Sequence, residues 1–276
     1  LGADVTVIEM MDRVMPVEDE EISTMAKKAF EKQGMKIITG AVTKKLEKGP
    51  NSVTVHVEVG GRTEKITAER VIMAVGIVAN TDNIGLENVP GVKLDRGHIV
   101  TDGYMKTGEA GVYAIGDCVG APWLAHKASH EGIICIEKIA GQAGVHPMLK
   151  SNIPGCTYCH PQVASVGLTE RACKEQGLNV KIGRFPFVGC GKALVINETG
   201  GLVKIIADMK YGEVLGVAIL GPHATDLINE AALAIQMEAT FEEMAHTIHA
   251  HPTIAESIME AALDVDKKAI HMPKKK

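Results

Sequence analysis

The fold is decided by the stretch Val5–Thr39, which reads VTVIEMMDRVMPVEDEEISTMAKKAFEKQGMKIIT. Its first five residues predict a β-strand that ends in the acid Glu9. Val17–Gln33 predicts a helix, and Lys36–Thr39 predicts a second strand. The helix carries one apolar stripe, formed by Ile22, Met25, Ala26, Ala29 and Phe30. Strand, helix and strand in this order are typical of a nucleotide-binding α/β unit.

The segments that follow extend this pattern. Gly60-Gly61 is a two-residue hairpin signal between two strand-like runs. Val71–Val75 (VIMAV) and Val112–Ile115 are apolar throughout, which predicts strands covered on both faces. Further strands are predicted at Val42–Leu46, Val53–Val59 and Arg62–Thr67, and a helix at Ser129–Ala140. The sequence therefore predicts a doubly wound nucleotide-binding domain of which this chain holds a part.

A second domain is predicted after the turn-forming residues Ser151–Gly155. Strands are expected near Val163, Val180, Leu202 and Val214, followed by helices at Ala224–Met237, Phe241–Ala245 and Thr253–Val265. Strands followed by packed helices predict an α+β domain.

Composition limits the class of protein. The 276 residues are 46% hydrophobic and 23% charged, with a net charge of -5, which fits about two globular domains. The negative charge argues against binding to nucleic acid or anionic lipid, and no apolar run reaches the roughly 18 residues of a membrane helix. Six irregularly spaced cysteines argue against a secreted disulfide framework and favour a cytoplasmic location. Because a strand-like run follows Leu1 at once, we expect the chain to be the C-terminal part of a longer protein, and we expect Lys274–Lys276 to be a solvated tail.

Two acids lie where predicted strands end. Glu9 could accept hydrogen bonds from the ribose hydroxyls of NAD, and Gly76, which closes VIMAV, would let a dinucleotide approach the backbone. Asp117 follows Val112–Ile115 and could hold a ribose or ribitol hydroxyl. On the local pattern alone, the ordinary interpretation is favoured for both: Glu9 as a strand-end acid and Asp117 as a turn residue. Met10 and Met11 stand near the point where an NADP enzyme would carry arginines, so NAD is the expected cofactor.

The segment 249–253 (HAHPT) is the densest polar cluster in the sequence. Pro252 disfavours helical backbone at His251, which places this imidazole just before the predicted helix as a candidate general base. Glu256 could orient the imidazole. The alternative is a capping box, in which Glu256 accepts a hydrogen bond from the amide of Thr253. Zinc binding by the two histidines lacks further ligands nearby, and no metal site is expected.

Residues 156–160 (CTYCH) match the C-x-x-C-H pattern of covalent haem attachment, and Cys156 and Cys159 could also form a redox pair. No export signal accompanies the motif. We interpret the two residues as ordinary thiols on a strand.

The order and the amino-acid sequences of several segments resemble those of the dihydrolipoyl dehydrogenase family, a branch of the pyridine-nucleotide disulfide oxidoreductases. The resemblance spans the whole chain, and its most specific motif is HAHPT followed three residues later by Glu256. The other motifs are LGADVTVIE at residues 1–9, VYAIGDC and WLAHKASHEGI between residues 112 and 133, VASVGLTE from Val163, FPF from Phe185 and VLGVAILGP from Val214.

The resemblance implies an oxidoreductase that uses FAD and NAD to oxidise protein-bound dihydrolipoamide. It implies an incomplete NAD-binding domain over residues 1–77, a central FAD-contacting domain over residues 78–150 and an interface domain over residues 151–276 that forms a homodimer. The partners implied are lipoyl domains of 2-oxoacid dehydrogenase or glycine-cleavage complexes. His251 would be the acid/base, oriented by Glu256 and acting in the active site of the partner subunit. The implied cofactor contacts are Glu9, Val42 and Gly76 for NAD and Asp117, Trp123, Leu124, Ala125 and His126 for FAD.

The sequence departs from the family in one important respect. The redox disulfide of the family is a C-x-x-x-x-C pair, and the six cysteines contain no such spacing. The chain alone is therefore expected to be inactive. A non-catalytic dimerisation fragment and a related flavoprotein disulfide reductase, such as glutathione reductase, remain alternatives.

Overall fold

The computed structural model describes residues 2–273 of the 276-residue chain. Leu1 and the predicted tail Lys274–Lys276 lie outside the described residues. The chain forms two compact units, one containing residues through Val71 and from Ser151 onward, the other running from Ile72 to Lys150. The three-domain division at residues 77 and 150 stays a prediction.

The first unit begins with the strand, helix and strand that the sequence predicts. β1 (Thr6–Ile8) and β2 (Lys36–Ile38) pair in parallel, and α1 (Glu20–Lys32) connects them. The helix begins later than predicted because Asp19 caps it: its carboxylate accepts a hydrogen bond from the amide of Glu21 at 3.0 Å.

A three-stranded antiparallel sheet follows. It consists of β3 (Ala41–Lys48), β4 (Val53–Val59) and β5 (Arg62–Ala68). Val59 pairs with Arg62 across Gly60 and Gly61, whose φ angles are +56° and +77°. The predicted hairpin is confirmed, and positive φ at both central residues explains why glycine occupies them.

The remainder of the first unit is built on a five-stranded antiparallel sheet. Its strands are β8 (Gly155–Thr157), β9 (Gln162–Gly167), β10 (Val180–Pro186), β11 (Leu202–Asp208) and β12 (Val214–Gly221), in the order β10-β11-β12-β9-β8. Its helices are α3 (Glu170–Glu175), α4 (Gly191–Val195), α5 (Ala224–Gln236), α6 (Phe241–His246) and α7 (Glu256–Val265). The predicted α+β character of this region is confirmed.

Helices cover both faces of this sheet. Side chains alternate between the two faces along each strand, so one strand can contribute to both cores. On β12, Val217 and Ile219 join the core shared with α5 and α7, whereas Ala218 and Leu220 meet Ile22 of α1. Lys204 of β11 pairs with Ala218 and therefore lies on the face that α1 covers.

The second unit contains the short hairpin of β6 (Leu94–Asp95) and β7 (His98–Ile99), and the helix α2 (Ala125–Ile139). This helix begins before Ser129, where the sequence predicts its start. Among residues 2–273, no helix combines the length and apolarity needed to cross a membrane.

Two predicted strands are wrong. Val71–Val75 is not a strand, and Ile72 and Val75 are 91% and 83% exposed. Val112–Ile115 forms only one isolated bridge, between Tyr113 and Lys106. An apolar run becomes a strand only where another strand offers its edge, and no described strand pairs with either run over its length.

Candidate active site and cofactor positions

His251 lies in the segment that joins α6 to α7. Its side chain is 77% exposed, and its Nδ1 lies 2.8 Å from Oε1 of Glu256, the first residue of α7. Among the described residues, Nε2 of His251 has no hydrogen-bond partner. The structure therefore brings together the imidazole and carboxylate that the sequence predicts as neighbours.

The carboxylate of Glu256 makes both contacts that the sequence presents as alternatives. Oε1 binds His251, and Oε2 accepts a hydrogen bond from the amide of Thr253 at 2.9 Å. The amide contact of the capping-box alternative is thus present, but Thr253 is not the N-cap: the helix begins at Glu256 with Ala255 as its N-cap, and the hydroxyl of Thr253 donates to the carbonyl of Ala250. One oxygen of Glu256 is thus held by the turn before the helix, and the other is available to orient the imidazole of His251.

The charge of Glu256 suits this role. Partial burial raises its pKa, but the amide of Thr253 and the ring of His251 outweigh that effect and hold the pKa below its usual value. An ionised carboxylate at Nδ1 favours the tautomer in which Nδ1 carries the proton and Nε2 carries the lone pair. Nε2 can then take a proton from a substrate group.

His249 is anchored in the protein, unlike His251. Its side chain is 5% exposed, its Nε2 lies 2.8 Å from Oε1 of Glu230 on α5, and its Nδ1 lies 2.8 Å from the carbonyl oxygen of Thr247. The hydrogen bond with Glu230 raises the pKa of His249 more than burial lowers it. This pair ties the segment that carries His251 to α5. Sequence patterns do not indicate the pair, because Glu230 and His249 are distant along the chain.

Two candidate NAD contacts lie in the first unit. Glu9 directly follows β1, where its Oε1 accepts a hydrogen bond from the amide of Met11 at 2.7 Å. Val42 on β3 is exposed. A carboxylate at the C-terminal end of a parallel strand fits the position at which α/β sheets bind a ribose.

The other cofactor candidates lie in the second unit. Gly76 has a φ of +127°, and a Cβ there would meet no atom within 4 Å. Asp117 is exposed in the 3-10 turn Gly116–Val119, and Leu124 is the N-cap of α2 without a side-chain cap. The predicted contacts Trp123, Leu124, Ala125 and His126 surround this helix N-terminus.

These residues fit a flavin nucleotide by the chemistry of their donors and acceptors. The carboxylate of Asp117 accepts hydrogen bonds from hydroxyl groups, whereas the uncapped N-terminus of α2 offers amide donors and a positive dipole end to a ligand oxygen or nitrogen. Their roles in binding remain predictions, as do those of the other site residues.

The cysteines give no sign of redox chemistry. All six are free thiols, and burial raises the pKa of both Cys156 and Cys159. Within residues 2–273, no group of three or more His, Cys, Asp or Glu side chains could hold a metal ion.

Comparison with known proteins identifies the family. Residues 1–132 match the family model of pyridine nucleotide-disulphide oxidoreductases, and residues 153–262 match the model of the dimerisation domain of these enzymes. The chain belongs to the pyridine nucleotide-disulphide oxidoreductase family, an oxidoreductase family whose dimerisation domain supports a homodimer.

Its relatives are dihydrolipoyl dehydrogenases. The protein of that name from Rhizobium etli is 54% identical over 265 residues, which cover 96% of this chain and 55% of the relative. The one from Zymomonas mobilis is 45% identical over 273 residues, covering 98% of this chain and 58% of the relative. The chain thus spans just over half the length of these relatives. Dihydrolipoyl dehydrogenases use FAD and NAD.

Solved structures agree with the fold. The crystal structure of LpdA from Mycobacterium tuberculosis is 29% identical, with a TM-score of 0.86 over 95% of this chain and 56% of that one. The flavoprotein disulfide reductase RclA from Escherichia coli has a TM-score of 0.85 over 95% of this chain and 59% of that one, at 23% identity. The RclA match supports the fold alone.

Proposed function

We propose that this chain is the NAD-binding and dimerisation portion of a dihydrolipoyl dehydrogenase. The overall reaction transfers two electrons and a proton from dihydrolipoamide to NAD⁺, giving lipoamide, NADH and a released proton. The observation that carries the proposal is the pair His251–Glu256, in which a carboxylate 2.8 Å from Nδ1 leaves Nε2 of an exposed imidazole available. The 54% identity to a dihydrolipoyl dehydrogenase points to the same substrate.

His251 would act on the dithiol. Nε2 takes the proton from one thiol of dihydrolipoamide, because the thiolate is the nucleophilic form and a free thiol is mostly protonated near pH 7. The carboxylate of Glu256 stabilises the imidazolium that forms. The thiolate then attacks a redox disulfide, forming a mixed disulfide with one cysteine and releasing the other as a thiolate. The second thiol of the substrate, once deprotonated, attacks the mixed disulfide, so that lipoamide leaves and both cysteines are reduced. This chain has no C-x-x-x-x-C pair, so another part of the full-length protein would supply the redox disulfide.

The cofactor residues would bind and orient. Asp117 and the N-terminus of α2 would hold FAD, and Glu9 would hold the adenosine ribose of NAD. FAD, when bound, would accept the electrons of the dithiol and pass them to NAD as a hydride.

The assembly we infer is a homodimer in which His251 serves the active site of the partner subunit, since the matched dimerisation domain contains it. Lipoyl domains of 2-oxoacid dehydrogenase or glycine-cleavage complexes would deliver the substrate. A cytoplasmic location fits six free thiols.

The test is turnover of dihydrolipoamide by the full-length polypeptide. His251→Gln should lower kcat by about 10²- to 10⁴-fold, the usual loss on removing a general base. His246→Gln, which changes an exposed histidine on α6, is the matched control. Near-normal turnover by His251→Gln would contradict the assignment, and a wild-type protein without this activity would contradict the proposed function.

A further inference from the structure

A buried ion pair lies on α2 and takes no part in the proposed chemistry. Nζ of Lys127 lies 2.8 Å from Oε1 of Glu131, one helical turn away, and the two side chains are 1% and 4% exposed. Most Lys–Glu pairs at this spacing lie on the surface of a helix. The pair Lys27–Glu31 on α1 is an example, with side chains 32% and 44% exposed.

Both members of the pair bind the same residue of the preceding turn. Oε2 of Glu131 accepts a hydrogen bond from the amide of Gly116 at 2.7 Å, and Nζ of Lys127 donates to the carbonyl oxygen of Gly116 at 3.3 Å. Gly116 is buried and has a φ of +79°. The ion pair therefore supplies hydrogen-bond partners for both backbone groups of a buried residue.

The energetic cost of this arrangement suggests a specific use. Burying two charges costs desolvation energy that their attraction only partly offsets, so an apolar pair of the same volume is often as stable or more stable. Here an apolar pair would leave the backbone N–H of Gly116 without its acceptor and would take the Lys127 donor away from its C=O. The charged pair thus fixes one backbone conformation at Gly116.

That conformation matters because of what lies on either side of it. Asp117 follows Gly116 directly, and α2, which carries the ion pair, begins at Ala125 with an uncapped N-terminus. Holding Gly116 against α2 fixes the carboxylate of Asp117 relative to that helix N-terminus. A flavin nucleotide that uses both features needs this separation to be constant.

We propose that Lys127 and Glu131 are positioning residues for the flavin nucleotide: by clamping both backbone groups of Gly116, they hold Asp117 and the N-terminus of α2 in the geometry that binds it. The inference rests on the proposed function, since it concerns the same FAD-binding residues. Both side chains are buried, so their effect on the ligand would pass through the backbone of Gly116.

The experiment uses the full-length homodimer with its FAD removed and measures three quantities for each variant. They are the dissociation constant for added FAD from flavin fluorescence, the visible absorption and circular dichroism spectra of the bound flavin, and the melting temperature of the protein without FAD. Glu131→Leu removes the acceptor for the amide of Gly116 and leaves Lys127 without its charge partner. The double variant Lys127→Met/Glu131→Leu removes both charges, so it folds without an unpaired buried charge.

We expect Glu131→Leu to lower the melting temperature and the double variant to recover most of that loss. FAD should bind both variants at least about tenfold more weakly than the wild type, with an altered flavin spectrum, because the amide of Gly116 loses its acceptor in both. Glu131→Gln keeps an acceptor for the amide of Gly116 and should bind FAD with intermediate affinity. The matched control, Lys27→Met/Glu31→Leu, should change neither the FAD affinity nor the flavin spectrum.

A purely structural role makes a different prediction, in which FAD affinity and spectrum return to wild-type values when the double variant regains stability. That result would overturn the inference and leave the proposed function intact. A wild-type protein that binds no FAD would overturn both.

Discussion

Replacing Lys204 by methionine should destabilise the first unit strongly. Lys204 lies in β11 on the face that α1 covers, and its Nζ is 2.8 Å from Oδ1 of Asp19 and 2.8 Å from Oε2 of Glu170. The side chains of Lys204 and Asp19 are each only 2% exposed. The methionine has a similar shape, so the change mainly removes the charge.

The cost follows from the carboxylate that remains. Removing one partner of a buried ion pair costs about 3 to 5 kcal/mol, because the other charge stays buried and uncompensated. Asp19 keeps the amides of Glu21 at 3.0 Å and Glu170 at 3.3 Å, so we expect the lower end, about 3 kcal/mol. The assay is urea unfolding of the chain at pH 7, followed by far-ultraviolet circular dichroism.

The loss should depend on pH with a defined sign. Burial raises the pKa of Asp19, but the ammonium of Lys204 and the capping amides outweigh burial and hold that pKa below its usual value. In the wild type, the carboxylate therefore contributes stability above about pH 4, which is lost as the pH falls through the lowered pKa. Without Lys204, burial dominates and Asp19 can take up a proton, so the difference between variant and wild type should shrink from pH 7 to pH 4.

Two further variants make the test specific. Lys204→Met/Asp19→Asn keeps a capping side chain without a buried charge, and it should recover more than half of the lost stability. Lys45→Met breaks an exposed pair of similar length, 2.7 Å to Glu47, and should leave the unfolding midpoint unchanged. A loss below about 1 kcal/mol for Lys204→Met, or an equal loss at pH 7 and pH 4, would refute the reasoning.

Three other predictions concern charge, cofactor choice and assembly. Glu230 raises the pKa of His249, so the stability from this pair should be complete below about pH 6.5 and lost as the pH rises through the raised pKa. The melting temperatures at pH 6 and pH 9 should therefore differ less in His249→Gln than in the wild type. The full-length enzyme should prefer NAD to NADP, because the carboxylate of Glu9 repels a 2′-phosphate. Glu9→Ala should therefore lower the ratio of kcat/KM with NAD to kcat/KM with NADP. An unchanged ratio would exclude this role of Glu9. The full-length protein should sediment as a dimer at micromolar concentration, and a folded monomer would contradict the dimerisation that residues 153–262 support.

Local sequence patterns predicted those features that depend on neighbouring residues. The turn at Gly60-Gly61 needs two residues with positive φ, which glycine provides without strain. The contact between His251 and Glu256 spans five residues around a proline, so the chain itself brings the two side chains together. The resemblance to the family supplied the roles of these residues, which their spacing alone left open.

The sequence could not predict features that depend on distant partners. The strands expected at Val71–Val75 and Val112–Ile115 are absent from the structure. The prediction failed because an apolar run suggests burial but does not show whether another strand lies beside it to pair with. Glu230 meets His249 only because α5 packs near the segment that follows α6. The spacing of Lys127 and Glu131 is visible in the sequence, but it usually indicates a solvated pair, and only the structure shows the pair buried.

The role of His251 is tested by measuring the two halves of the reaction separately in the variant His251→Gln. Rapid-mixing absorbance of the flavin in the full-length enzyme follows its reduction by dihydrolipoamide and, in a separate experiment, its reduction by NADH. If His251 is the base, reduction by dihydrolipoamide slows by about 10²- to 10⁴-fold, whereas reduction by NADH keeps its wild-type rate, because only the dithiol needs a base. Equal slowing of both reactions, or wild-type rates for both, would contradict the assignment of His251 as the base that activates the dithiol.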